Sequence, residues 1–253
     1  MILRRVIAHF RKQEWTAIAL DFVIVVVGVF IGIQVSNLNN ERGDRAREAA
    51  YMAQLVDDLT ADFDEMELVT AAARERMAVI SMLFSRAGAP PPPETFYLGH
   101  CVYEPCTGTV ELGRGGEFKS ELPTAANDAL TNQPQFNAVE HTYGALVSTG
   151  DIGLLRDIDI RRKIQAYYAK AAEVRNLDGA VGLQFQELNK SRHELGLAAS
   201  GVDLDALVAA VGASDTLEAQ LRSHWAYSGF QIRSMAHMRN LAEALIADIE
   251  RVE

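Results

Sequence analysis

Between Phe22 and Val35 the chain carries no charge, and eleven of those fourteen residues are Val, Ile or Phe. At roughly −0.3 to −0.6 kcal/mol each, these side chains supply about −3 to −7 kcal/mol toward entering a bilayer. Asp21 stands at the edge of the run, where its penalty falls below the ~3 kcal/mol expected at a membrane centre. As a helix, residues 21–38 span ~27 Å, close to a ~30 Å hydrocarbon core. A transmembrane helix is expected over Trp15 to Leu38, with the lipid bilayer as its first partner. Ser36, Asn37, Leu38, Asn39 and Asn40 follow the run. No small-x-small cleavage site is among them, so an uncleaved anchor is expected rather than a signal peptide.

The flanks bear on orientation. Residues 2–12 place Ile2, Leu3, Val6, Ile7 and Phe10 on one helical face and Arg4, Arg5, Arg11 and Lys12 around the other. This segment reads either as a basic amphipathic helix at an anionic leaflet or as a plain positive flank. Arg42, Arg45 and Arg47 follow the span closely, so the positive-inside bias is slight. The cost of translocating a basic tail, and a cysteine pair that makes sense outside the cytosol, tip the expectation. Residues 1–14 are assigned to the cytosol, 15–38 to the membrane and 39–253 to the far side.

Residues 39–253 carry 20 bases against 32 acids, a formal charge of −12. That excess argues against nucleic acid as a partner, because phosphate binding needs clustered Lys and Arg. Helical periodicity dominates the region. Met52, Leu55, Leu59, Phe63, Met66, Val69, Ala73, Met77, Ile80 and Phe84 recur at steps of three and four, continuing the first helix to about Gly88. Asp58, Asp62 and Glu65 read as a solvated face, with a cation site as the alternative. Gly88 and Pro90 to Pro93 end this helix.

Residues 94–133 form a loop-rich insertion, with a short hairpin as one option. Its role is either a cap on the bundle or a binding loop. Cys101 and Cys106 lie within it, and a local disulfide is expected once this region is outside the cytosol. Two free thiols, or a metal pair with His100, are the alternatives. Further helices are expected at 136–149, from Asp157 or Asp159 to about Leu197, at 203–211 and at 215–252. The fold class is all-α: a transmembrane helix continuing into a long helix, then an antiparallel helical bundle with a loop-rich, disulfide-tied insertion.

Chemistry is sparse. The chain has no G-x-S-x-G, S-x-x-K, H-E-x-x-H or G-x-x-x-x-G-K-[ST] pattern, so neither enzyme activity nor a cofactor is expected. His141, His193, His224 and His237 are scattered. The informative constellation lies in the apolar helix. With Asp21 at 0°, Gly28 falls at about −20°, Gly32 at about +20° and Ser36 at about 60°. Small residues let a second helix approach, and a carboxyl on the same stripe favours a protein partner over lipid. Asp21, Gly28, Gly32 and Ser36 are therefore the candidate helix–helix contact, giving a homo-oligomer, a complex with another membrane protein, or both.

The runs ALDFVIVVVGVFIGIQVSNLNNER, YMAQLVDDLTADFDE and TYGALVSTGDIGLLRDIDIRRKIQAYY together resemble an uncharacterised bacterial family of single-pass membrane proteins. Gly28, Gly32, Gln34 and Asn37 match its G-x-x-x-G-x-Q-x-x-N spacing, and Tyr143, Gly150 and Tyr168 match its later part. The resemblance implies a bacterial inner-membrane protein with the disulfide in the periplasm, and it brings no activity. A structural or scaffolding role is expected. The alternative is a periplasmic ligand-binding sensory module, which would borrow a second span and an output domain from a partner.

Overall fold

A computed structural model of the chain describes residues 15–93, 95–98, 108–111, 117–118, 124–197 and 202–252. Helix α1 (Trp15–Ala87) runs for 73 residues. No proline interrupts it, and three glycines are the only strong helix breakers in its interior. Its end is built by two devices. Gly88 adopts φ +70°, which a side chain would resist, and the N–H of Ala89 then reaches back to the Phe84 carbonyl at 3.0 Å. Pro90 to Pro93 follow, and Arg222 donates to the carbonyls of Pro90 (2.5 Å) and Pro91 (3.0 Å).

The chain divides into two compact units, Met1–Tyr51 and Met52–Glu253. In the first, the large apolar side chains from Leu20 to Leu38 are 47–68% exposed. By length and composition, α1 is apolar enough there to cross a membrane.

The second unit is a helical bundle. After a two-stranded antiparallel hairpin, β1 (Thr95–Leu98) with β2 (Gly108–Glu111), come α2 (Ala125–Thr131), α3 (His141–Thr149) and a single 3-10 turn (Asp151–Leu154). The long helices α4 (Ile158–Glu194) and α6 (Asp215–Val252) flank the short α5 (Leu204–Ala213). Contacts fix the directions. Lys163 meets Asp248, and Tyr227 meets Asp178, so α4 and α6 are antiparallel. Phe63 faces Arg239, Arg76 meets Ser228 and Ser81 meets Trp225, so α6 also opposes α1. Hence α1 and α4 are parallel. The antiparallel packing expected is found between α6 and each of the other two long helices, and α1 and α4 run the same way because the chain between them returns to the starting end.

The core gathers Phe84, Leu130, Leu207, Val211, Leu221 and Trp225 from α1, α2, α5 and α6. The stripe expected on α1 is buried at nine of its ten positions, with Phe63 half-buried under the Arg239 guanidinium. Two boundaries differ from expectation. Helix α3 starts at His141 rather than Phe136, and α2 lies inside the segment expected to be loop. Cys101 and Cys106 lie outside the described residues, and no disulfide is seen among those described.

Candidate functional site

The expected contact stripe lies on the exposed apolar part of α1. Asp21, Gly28, Gly32 and Ser36 are all solvent-accessible and fall within one helical face. A methyl group added at Gly28 or Gly32 would meet no atom within 4 Å. No steric contact among the described residues therefore requires glycine at either position, and the face they open is available to a second helix.

The helical body holds a different constellation, all of it polar and buried. Asp62 is completely buried on α1, and its two oxygens accept from the Val139 N–H (2.7 Å) and the Tyr167 hydroxyl (2.6 Å). One turn earlier, Asp58 accepts from the Thr142 N–H at 2.9 Å. These two acids do not form the solvated face expected from the sequence. They hold down the start of α3, whose own N-cap residue, Glu140, makes no side-chain capping bond. Burial raises the Asp62 carboxyl above the usual carboxylate range, opposed by its two hydrogen bonds. Burial likewise raises the Tyr167 and Tyr168 phenols.

Around this clamp, Tyr143 stacks on Tyr168 with ring centroids 4.2 Å apart, and the Tyr168 hydroxyl donates to the Val139 carbonyl at 3.1 Å. Gly150 closes α3 at φ +80°. The Tyr143–Tyr168 stack and the Tyr168 bond to Val139 thus hold the segment 139–150 against α4, while Asp58 and Asp62 hold it against α1.

A second buried network joins α1 to α6. The guanidinium of Arg76 is fully buried and donates 2.7 Å bonds to Ser228 Oγ, the Asn132 carbonyl and Gln231 Oε1. Burial lowers its pKa to about 10, so it stays protonated at neutral pH. Asp178, raised chiefly by burial, accepts from the Tyr227 hydroxyl, and Gln231 bears on both charges. Beside this network His224 is buried, with Nδ1 3.2 Å from Gln133 Nε2, and its Nε2 has no partner within hydrogen-bonding geometry. Burial, then the charge of Arg76, depress His224 to about 4, and the Gln184 carbonyl pulls weakly the other way.

The periodicity already contained part of this arrangement. Taking Leu55 as 0°, Leu59 falls at about 40°, Met66 at about 20°, Val69 at about −40° and Asp62 at about −20°, within the apolar stripe. An acid in that position points to burial with a partner. The partner's identity was not readable, because Val139 and Tyr167 lie 77 and 105 residues away.

Chemically, these networks bind protein to protein. Among the described residues, no group of three His, Cys, Asp or Glu side chains is placed to hold a metal ion. Each buried donor or acceptor bonded above serves another part of the fold. No protein-family model, no curated protein and no solved structure matches the chain.

Proposed function

We propose that this chain is a membrane-anchored scaffolding or partner-binding protein of the bacterial inner membrane. Its N-terminus is cytoplasmic, its span covers residues 15–38 and its helical body is periplasmic, with Cys101 and Cys106 joined there. The span associates with another copy, or with another membrane protein, along Asp21, Gly28, Gly32 and Ser36. One observation carries the reading. The most apolar part of α1 has its large side chains exposed, and the face containing its only acid is kept open by two glycines without intrachain contacts. Lipid satisfies the apolar surface, and a close-packed helix gives the Asp21 carboxyl a polar neighbour.

In-membrane crosslinking with mass spectrometry tests this on the full chain. Gly28→Ile with Gly32→Ile should abolish most of the crosslinked product while leaving membrane insertion unchanged. Because a Cβ added at either glycine meets no atom within 4 Å, loss of crosslinking reports a lost helix–helix contact. Crosslinking equal to that of the parent chain would rule the contact out.

A further inference from the structure

Among the described residues of the helical body two arginines are buried, Arg76 and Arg192, and they are served very differently. Arg76 has three hydrogen-bond acceptors, and the Asp178 carboxylate favours its charge. Arg192, on α4, is 2% exposed, and among the described residues it reaches only neutral amide oxygens, those of Asn189 (3.1 Å) and Asn127. Its Nε has no acceptor, and no described acid stabilises its charge. A buried cation of this kind is costly, and an unsatisfied buried donor adds to the cost.

The same side chain lines a recess of about 500 Å³ with Thr131, Phe185, Asn189, His193 and Leu197. That volume lies within the range of small-molecule sites, roughly 300–1,000 Å³. The lining is chemically divided. Phe185 and Leu197 offer apolar surface, Thr131 and Asn189 offer neutral polar groups, and Arg192 contributes the one permanent charge. The other described recesses differ. One, of about 420 Å³, includes Glu67 beside Arg74 and Arg239, and another, of about 480 Å³, includes Glu75 and Glu117. Of these three recesses, the Arg192 recess is the one with no acid among its described lining residues.

We infer that this recess is a binding site for a small organic monocarboxylate bearing an apolar or aromatic group. The carboxylate supplies the counter-charge that the described residues withhold from Arg192. Its apolar portion lies against Phe185 and Leu197. A single guanidinium, with no lysine among the described lining residues, matches one negative charge better than the two of a phosphate. The site lies in the helical body and is independent of the association proposed for the span, so either reading stands if the other fails.

The test is isothermal titration of the full chain in detergent, against micelle blanks, with benzoate, its neutral isostere benzamide, and inorganic phosphate. Benzoate should bind saturably, and benzamide and phosphate should bind at least about tenfold more weakly, the scale of a charge-assisted hydrogen bond. Arg192→Met should erase the preference for benzoate. Because that substitution alters a buried side chain, His193→Glu provides a second variant at an exposed rim position. It should weaken benzoate and leave benzamide unchanged. Absence of benzoate binding, equal binding of benzamide, tighter binding of phosphate, or benzoate binding indifferent to His193→Glu would each overturn the assignment.

Discussion

His224 shows how a single buried ring ties stability to pH. In the folded chain it is held to about 4, against 6.5 for an ordinary histidine. The unfolded ring therefore takes up its proton as pH falls through 6.5, while the folded ring stays neutral until about 4. Acidification across that interval favours unfolding, by about 3 kcal/mol at completion. His224→Asn keeps an acceptor for Gln133 and removes the titration. Denaturant unfolding at pH 7 and pH 4 should show the parent chain losing about 3 kcal/mol more than the variant. Asp62 and Asp178 titrate in both chains, so the difference isolates the histidine. Parallel losses in the two proteins would mean that the ring is already accessible to protons. Nothing in the sequence around residue 224 announced this. Burial there depends on Gln133 and Phe185, which reach the ring from other elements.

Among the elements, α3 depends most on the rest of the molecule. Its first turn contains no acid, its N-cap makes no side-chain bond, and the Thr142 N–H is satisfied by Asp58 from α1. Helix α4 contrasts with it, because Asp157 caps the N–H groups of Asp159 and Ile160 from its own sequence. That difference explains what the sequence could disclose. The α4 start was readable at Asp157, and the ends at Gly88 and Gly150 were readable as glycines. The α3 start was misplaced by five residues because its cap comes from 84 positions away. Helix α2 went unseen because seven residues are too few to establish a 3.6-residue period. Asp58→Ala should therefore cost about 0.5–2 kcal/mol, the scale of a lost cap. Amide exchange should localise the effect, with protection falling across 141–149 while 204–213 keeps its own. Uniform loss over both helices would show that Asp58 does not act as a cap.

For the whole molecule the question is which surfaces meet which solvent. The body satisfies its buried polar groups largely internally, through Asp62, Arg76 and Asp178, and it covers the apolar stripe of α1 from Met52 onward. The stretch from Leu20 to Leu38 has no such cover. Left in water, its surface would forfeit the several kcal/mol that bilayer entry provides. The proposed orientation has only a small charge difference behind it, with four bases before the span and three arginines soon after it. The excess of positive charge is slight, so the decisive measurement is topological. A phosphatase active only in the periplasm, fused after Glu253, should be active, and the full chain should sediment with membranes until detergent is added. In those same membranes Cys101 and Cys106 should resist a thiol-reactive maleimide until a reductant opens their bond. An active phosphatase with freely reactive thiols would retain the topology and remove the disulfide. An inactive fusion on membrane-bound protein would reverse the orientation, placing the acidic body and its cysteines in a reducing compartment where the pair has no reason to close.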